Sequence, residues 1–268
     1  MPTLEVNGTT LYYEDTGPGS TGETIAFSHG LLWNTSLFAA QIAALRERYR
    51  CIAWDHRGQG RSAADHRRCI GIELVAQDAI ALLDQLGVGP VHFVGLSMGG
   101  FVAMRIAARR PDLVRKLVLI ETSADPEPIE NVGRYRLLTA VVRTLGPRLV
   151  SRRAAPIMLG RTILADRARA ADVAAFSTAM TSRKDIWRAV NGVIDRAGIY
   201  DELVRIRAPT LVLVGDEEVA TPPPKAERIV AAIAGARLET IHRAGHSSPV
   251  EEPAQVSKAL ERFLARAS

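Results

Sequence analysis

The stretch Val91-His92-Phe93-Val94-Gly95-Leu96-Ser97-Met98-Gly99-Gly100 decides how this chain folds. It opens with a β-prone run, and the amphipathic segment that follows it, 98–110, ends before Pro111. Between the two lies a Gly-x-Ser-x-Gly sequence, which is typical of a sharp strand-to-helix turn that pushes a serine hydroxyl out of a sheet. Glycines two residues before and after Ser97 leave the room that such a turn needs. The stretch therefore predicts a nucleophilic serine at position 97.

Strand and helix patterns alternate on both sides of this turn. Besides Val91–Val94, six further strands are predicted at Leu11–Glu14, Thr24–Phe27, Cys51–Trp54, Lys116–Ile120, Thr210–Val214 and Leu238–Ile241. Apolar residues recur at helical spacing over 72–86 and again after Pro253. Several of the strands are almost wholly apolar, as expected when both faces of a parallel strand are buried. The pattern predicts an α/β fold with a doubly wound, mostly parallel sheet.

The alternation stops between about Ser123 and Gly198, where the periodicity is helical and strand signals are weak. Gly146-Pro147, Pro156 and Gly160 divide this stretch into several helices. We predict one integrated domain, in which residues 1–122 and 199–268 form the core and residues 123–198 form a helical cap. The cap is expected to lie over the carboxyl-terminal edge of the sheet.

Composition places the chain among ordinary globular proteins. It has 268 residues, of which 47% are hydrophobic and 24% charged, enough to bury a large core without disulfides or metals. No apolar run approaches the roughly 18 residues of a membrane span, and no signal-peptide pattern is visible at the start. The two cysteines, Cys51 and Cys69, do not form a disulfide framework. We therefore expect a reduced, cytoplasmic protein with no membrane partner.

The net charge of +5 is concentrated in one part of the chain. Residues 122–205 contain 14 basic and nine acidic residues, which accounts for the whole excess. No dense Lys/Arg run with interleaved aromatic residues is present, so nucleic acid is not an expected partner. The basic excess supports a hypothesis that the cap favours anionic substrates, and solvated helix faces are the alternative explanation.

A serine hydroxyl needs a base to remove its proton, and a histidine base needs an acid to hold its tautomer. His246 lies in a loop between the last strand and the C-terminal helix, where a base would face the turn at Ser97; His242, at the end of that strand, is the nearest rival. The segment Gly215–Pro222 follows the sixth of the seven strands and offers carboxylates at 216, 217 and 218. One of these three is expected beside His246.

The negative charge that develops on a substrate carbonyl needs hydrogen-bond donors. The backbone N–H of Met98 and that of Leu31, in the loop after Thr24–Phe27, are the expected pair. His29 in the same loop is expected to be structural. Trp33 is a candidate substrate-binding residue that walls the pocket, and a plain packing role is an equal alternative.

With these motifs the sequence resembles the α/β-hydrolase superfamily over nearly its whole length. The motifs that carry the resemblance are His29-Gly30, Asp55-His56-Arg57-Gly58-Gln59-Gly60-Arg61-Ser62, Gly95-Leu96-Ser97-Met98-Gly99-Gly100 and Gly245-His246. The segment 92–124 is most similar to enol-lactone hydrolases of the 3-oxoadipate enol-lactonase type and to related esterases. The sequence has no clustered Cys/His ligand spacing, and we expect no metal and no other cofactor.

At one position the sequence departs from that family. Relatives carry Gly-x-x-Asp after the sixth strand, and the aspartate is the acid; here Glu218 stands in its place. Some members place their acid at the position of Glu121, at the end of Lys116–Ile120. The resemblance therefore ranks Glu218 first, Glu121 second and Asp216 third.

The residues and the resemblance together predict a serine hydrolase of small carboxylic esters or lactones, with an acyl-enzyme formed on Ser97. A non-catalytic ligand-binding protein on the same fold is one alternative. A carbon–carbon bond hydrolase or perhydrolase that uses the same site is another. The substrate, the packing of the cap helices and the oligomeric state are left open.

Overall fold

The computed structural model describes residues 2–181 and 183–266, and residue 152 through its backbone alone. Positions 1, 182, 267 and 268 of the domain ranges given above lie outside the described residues. The described residues contain eight strands in one sheet: β1 (Thr3–Val6), β2 (Thr9–Asp15), β3 (Thr24–Ser28), β4 (Arg50–Trp54), β5 (Val91–Leu96), β6 (Val114–Ile120), β7 (Thr210–Gly215) and β8 (Arg237–Ile241).

The sheet is mostly parallel, in the order β1-β2-β4-β3-β5-β6-β7-β8. β1 pairs antiparallel with β2, and β2 with β4, whereas every other pairing is parallel. Every residue of β5 and β7 is buried, because helices cover both faces of the sheet. The predicted α/β class is therefore confirmed.

All seven predicted strands are present, and each end differs from its predicted position by at most two residues. The sequence analysis missed β1, which pairs with β2 at the edge of the sheet. Only Val6 of this four-residue strand is buried. Because an exposed edge strand needs few apolar side chains, its sequence carries little hydrophobic signal.

Eleven α-helices are described, and their place along the chain follows the strands. They are α1 (Ala39–Leu45), α2 (Ile72–Gln85), α3 (Met98–Arg109), α4 (Ile129–Leu145), α5 (Arg148–Met158), α6 (Arg161–Ala165), α7 (Ala170–Thr181), α8 (Trp187–Ile194), α9 (Pro223–Ala232), α10 (Ser248–Glu251) and α11 (Pro253–Leu264). Helices α4 to α8, here called the inserted helices, all lie between β6 and β7. None of the described helices is long and apolar enough to cross a membrane.

Two apolar clusters pack on the two faces of the sheet. One contains side chains of α2, α3 and α9. The other contains side chains of α1 and α11, and the inserted helices add to it through residues such as Val142, Met158 and Phe176. The inserted helices are therefore packed continuously with the core on one side of the sheet.

The predicted helix boundaries in the inserted stretch are only partly confirmed. Gly146 ends α4 and Gly160 precedes α6, as the sequence predicts. Pro156, however, lies inside α5, which continues to Met158. A proline near a helix end removes only one backbone hydrogen bond, so it does not by itself fix where the helix stops.

A buried arginine joins the loop after β4 to helix α2. Arg57 has no exposed side-chain surface. Its Nε and Nη2 each donate to the carboxylate of Asp78 at 2.7 Å, and its Nη1 donates to Asp65 at 3.0 Å. Removing one partner of such a network leaves uncompensated charge in the interior, which is far more costly than losing an exposed ion pair.

Replacing Arg57 with Met should therefore lower the free energy of unfolding by about 3–5 kcal/mol, because Asp65 and Asp78 lose their buried partner. Urea unfolding at pH 7 measures this. Arg262→Met is the matched control, since Arg262 forms a half-exposed pair with Glu239 and its loss should cost less than about 1 kcal/mol. Equal effects of the two substitutions would contradict the prediction.

Candidate active site

Ser97 occupies a strained turn between β5 and α3. Its backbone φ of 51° lies in the left-handed region that non-glycine residues rarely adopt. A Cβ atom on Gly95 would collide with the carbonyl oxygen of Gly99, and one on Gly99 would collide with that of Ser28. The turn can form only because both positions are glycine.

The turn brings Ser97 together with two other predicted site residues. Ser97 Oγ lies 2.8 Å from His246 Nε2, and His246 Nδ1 lies 2.6 Å from Glu218 Oε2. All three side chains are buried, with Ser97 only 9% exposed. Because a carboxylate can only accept, the proton of the neutral imidazole is held on Nδ1, which leaves the Nε2 lone pair facing the serine hydroxyl.

Glu218 reaches His246 because two loops are joined backbone to backbone. Asp216 N–H donates to the carbonyl of Ile241, and Glu217 N–H donates to that of Ala244, at 3.1 and 2.9 Å. The second oxygen of Glu218 accepts from the N–H groups of Ala220 and Thr221. The chain closes around the carboxylate, and in this way it accommodates the extra methylene of glutamate.

The surroundings of Glu218 favour its charged form. Burial alone would raise its pKa, but attraction to His246 and hydrogen bonds from His246 and the Thr221 N–H outweigh burial and lower the pKa. The carboxylate is therefore ionised where it faces the imidazole, as an acid that stabilises imidazolium must be.

The other candidate acids have different partners. Asp216 accepts from the Arg243 N–H at 2.7 Å and from His242 Nδ1 at 3.1 Å. Glu217 binds Thr162 at the start of α6 through both its carboxylate oxygens. Among the three adjacent carboxylates, the structure therefore joins only Glu218 to His246.

Glu121 is a buried carboxyl behind Glu218. Its backbone φ is 44°, and both of its carboxyl oxygens lie 3.0 Å from the N–H of Gly215. Burial, followed by repulsion from the Glu218 charge, raises its pKa well above 4.5. A carboxyl group with a raised pKa beside an ionised one is suited to the neutral form, not to the role of the charged acid.

The rival base lies at the surface and is bonded to a different acid. The side chain of His242 is 74% exposed and is paired with Asp216. Within the described ranges, no three His, Cys, Asp or Glu side chains are arranged to bind a metal ion.

The predicted oxyanion donors lie at the ends of two anchored loops. Met98 opens α3, directly after Ser97. The carbonyl of Gly30, which belongs to the same peptide unit as the Leu31 N–H, accepts from His29 Nδ1 at 2.7 Å and from the Trp33 N–H at 3.2 Å. Because a peptide unit is planar, these bonds fix the direction of the Leu31 N–H. His29 thus has a structural position, and the donor role of Leu31 and Met98 stays a prediction.

Trp33 does not line the cavity above Ser97, so its predicted substrate-binding role is not supported. Its indole Nε1 donates to Ser247 Oγ at 3.0 Å, and Ser247 Oγ donates to the Met158 carbonyl at 2.7 Å. The ring packs against Phe176 of α7 at 5.5 Å between centroids. This is the packing alternative, because a fully enclosed indole offers no surface to a ligand.

Glu251 is a site residue that the sequence analysis missed. Its Oε2 accepts from the N–H groups of Gly160 and Gly245, and its Oε1 accepts from the Ser247 N–H. It therefore ties the loop that carries His246 to the start of α6. No local sequence signal distinguishes it from Glu252 beside it.

A cavity of about 200 Å³ opens above Ser97 and His246. Its lining is mainly apolar and comes largely from the inserted helices, with Leu31, Leu32 and Phe101 from the core. Besides His246, the acidic and basic residues that line it are Glu127, Arg153 and Arg196. An enclosed apolar space with a few polar groups is the usual form of a small-molecule site.

Several arginines of residues 122–205 are paired with acids. Ion pairs join Arg136 to Asp195, Arg161 to Glu217, Arg169 to Asp172, Arg183 to Asp185 and Arg205 to Glu202. Of the five acids, only Glu217 lies outside residues 122–205, so these pairs lower the net excess of the stretch by only one charge. The preference for anionic substrates stays a prediction.

A sequence model described as "Alpha/beta hydrolase family" matches residues 25–259. The chain belongs to the alpha/beta hydrolase family. The order of the sheet, the turn at Ser97 and the loop position of His246 agree with this membership.

The relatives of this chain are named for several activities. The chain is 31% identical over 261 residues to a Variovorax paradoxus protein named "Putative carbamate hydrolase RutD", covering 96% of this chain and 97% of that one. It is 27% identical to the enol-lactonase from Burkholderia xenovorans, with a TM-score of 0.90 and coverage of 99% and 100%. It is 28% identical to a thermophilic esterase from Thermogutta terrifontis, with a TM-score of 0.89 and coverage of 98% and 96%.

Substitution of the acid tests the geometry. Glu218→Gln should slow covalent labelling of Ser97 by a fluorophosphonate by about 10³- to 10⁴-fold, because the imidazole loses both its orienting partner and its counter-charge. Asp216→Asn is the matched control and should label within a few-fold of the unmodified protein. If Glu121→Gln abolished the labelling of Ser97 and Glu218→Gln left it nearly unchanged, the acid would be Glu121.

The raised pKa of Glu121 predicts a pH-dependent stability difference. A folded-state pKa above the unfolded value gives stability that is complete below pH 4.5 and is lost as the pH rises through the folded value. Glu121→Gln removes this titration. The free energy of unfolding of the variant, relative to that of the unmodified protein, should therefore increase as the pH is raised from 4 to 8. Urea unfolding across that range measures the difference. A difference that does not vary with pH would show that Glu121 has an ordinary pKa.

Proposed function

We propose that this protein is a serine hydrolase of small carboxylic esters or lactones that acts through an acyl-enzyme on Ser97. The observation that carries the proposal is the continuous hydrogen-bonded chain Glu218–His246–Ser97, with contacts of 2.6 and 2.8 Å, at the base of an apolar cavity. Hydrolytic activity is also consistent with the family and with the names of its relatives.

In the first half of the reaction, Ser97 Oγ attacks the substrate carbonyl while His246 Nε2 takes its proton. The Nδ1 proton stays on the imidazole, hydrogen-bonded to the charged Glu218, which stabilises the imidazolium that forms. The carbonyl oxygen becomes an oxyanion, and the N–H groups of Met98 and Leu31 are proposed to bind it. His246 then gives its proton to the leaving alcohol oxygen, and the acyl-enzyme results.

In the second half, His246 activates a water molecule, which attacks the acyl carbonyl. The same oxyanion donors serve again, and collapse of the intermediate returns the proton from His246 to Ser97. A lactone follows the same course, except that its alcohol remains attached to the acyl chain until water releases the hydroxy acid.

The inserted helices are proposed to be the cap that selects the substrate. They supply most of the cavity lining, whereas Ser97 and His246 belong to the core. Substrate shape should therefore depend on α4 to α8, and the chemistry on the loops of the sheet. An apolar cavity of about 200 Å³ favours compact substrates with a hydrocarbon portion.

A second candidate is carbamate hydrolysis, which the names of the relatives favour. The carbonyl of a carbamate could be attacked by the same serine. The apolar lining favours esters and lactones over the smallest carbamates, because such a surface gains most from burying hydrocarbon. A panel of p-nitrophenyl esters of increasing chain length, lactones and carbamates, compared by kcat/KM, separates these classes.

Ser97→Ala tests the mechanism. The substitution should lower kcat for an ester by about 10⁶-fold, because without the nucleophile only the oxyanion donors and binding remain. The melting temperature should stay close to that of the unmodified protein, since the hydroxyl contributes little to packing. A fluorophosphonate should label the unmodified protein at Ser97 and fail to label the variant. Absence of labelling in both would instead favour a non-catalytic binding protein.

A further inference from the structure

Arg196, which belongs to the basic stretch 122–205, is a buried residue that lines the cavity. The side chain of Arg196 is only 3% exposed. Its Nε donates to the carbonyl of Asp125 at 3.1 Å, and its Nη1 donates to the Val193 carbonyl at 2.7 Å and to Glu127 Oε2 at 2.8 Å. An arginine held by three acceptors in this way has a fixed position.

The remaining nitrogen of the guanidinium, Nη2, donates to no residue in the part of the chain that the structure describes. A guanidinium has five N–H donors in a rigid planar fork, so Nη2 carries two N–H groups whose directions are fixed by the bonds at Nε and Nη1. Nη2 is not among the fully buried atoms without a partner, so it keeps accessible surface. Because Arg196 lines the cavity, a ligand atom there can accept from these N–H groups.

The position of Arg196 relates it directly to the reacting serine. Its guanidinium lies over the ring of Phe101, 4.4 Å from the centroid. Phe101 lies one helical turn beyond Ser97, and its N–H donates to the Ser97 carbonyl at 3.0 Å. Both Arg196 and Phe101 line the cavity. A substrate held at Ser97 therefore extends along Phe101 toward the guanidinium.

The charge around Arg196 selects the kind of acceptor. Glu127 also lines the cavity, and its other oxygen accepts from Asn131 Nδ2 at 3.1 Å. The pair Arg196–Glu127 is therefore electrically balanced. Arg153, the other arginine of the lining, is exposed, so water and salt screen its charge. A substrate carboxylate would be attracted to the guanidinium but repelled by Glu127 across a poorly screened distance. A neutral oxygen acceptor gains the hydrogen bond without that repulsion.

We propose that Arg196 is a specificity residue that binds a neutral oxygen acceptor, such as a ketone, amide or second ester carbonyl, in the part of the substrate remote from Ser97. The inference rests on the proposed serine hydrolase function and adds a substrate class to it: small esters or lactones with a second, uncharged oxygen function.

The test compares p-nitrophenyl esters in matched pairs. Each oxo ester, from 4-oxopentanoate to 6-oxoheptanoate, is paired with the alkanoate of the same chain length, and a p-nitrophenyl monoester of a dicarboxylic acid represents the anionic case. The ratio of kcat/KM within a pair is compared between variants, so intrinsic differences in ester reactivity cancel.

The variant Arg196→Met/Glu127→Gln removes the pair without leaving a lone buried charge. The control is Arg136→Met/Asp195→Asn, which removes an exposed ion pair from the inserted helices. The unmodified protein should prefer one oxo ester over its alkanoate. In the first double variant the ratio of the two kcat/KM values should fall about tenfold, as expected for the loss of one hydrogen bond to a charged group. The control should keep the ratio.

The single variant Glu127→Gln tests whether Glu127 repels a substrate carboxylate. It also replaces the double variant in the test if the double variant does not fold. With the carboxylate removed, Arg196 is uncompensated, so kcat/KM for the anionic monoester should rise about fivefold or more relative to the alkanoate.

Unchanged ratios in the Arg196 and Glu127 variants, with alkanoate hydrolysis intact, would overturn the role of Arg196 and leave the proposed function standing. If the unmodified protein neither hydrolysed the alkanoates nor reacted with a fluorophosphonate, the proposed function would fail and this inference with it.

Discussion

The close approach of Gly99 to Ser28 is the constraint on which the rest of the site depends. It allows α3 to start immediately after β5 and forces the strained backbone at Ser97. The turn is held from the other side as well, because the Ser97 N–H donates to the Ile120 carbonyl and Thr122 Oγ1 donates to the Ser97 carbonyl. Strands β3 and β6 thus supply the contacts that keep a high-energy conformation in place. The hydroxyl then emerges at the carboxyl edge of the sheet, where every other functional group arrives on a loop.

The loops at that edge are positioned by side chains remote from the reacting atoms. Glu251 binds three backbone N–H groups around His246, and Trp33 joins the loop after β3 to Ser247. The Ser247 hydroxyl continues this connection to α5. Rigid support of this kind matters because an error of about 1 Å in a reacting group can cost on the order of 10²-fold in rate. The inserted helices therefore bond to the loop that carries His246, and they also line the cavity.

Electrostatics differ between the surface and the cavity of the same inserted segment. At the surface, arginines pair with neighbouring acids and are screened by water and salt, so each pair contributes little. Arg196 is removed from water, and burial lowers its pKa against the opposing attraction of Glu127. In that environment a single donor or charge acts strongly on anything that enters. The effect of a charged residue on a bound ligand therefore depends more on its burial than on the total charge of the segment.

The order of strands and helices, the turn at Ser97 and the loop position of His246 could all be predicted from the sequence, because each depends on local periodicity or on the glycines two residues from Ser97. The edge strand β1 could not, since exposure removes its hydrophobic signal. The sequence left Glu218, Glu121 and Asp216 as rival acids, and only the pairing of two loops from separate strands brought Glu218 to His246. Likewise tertiary packing sets the hydrogen-bond partners and burial of Trp33, Glu251 and Arg196. A hydrogen bond or a burial depends on partners far apart in the chain, and no local pattern of residues encodes which of several similar side chains will meet them.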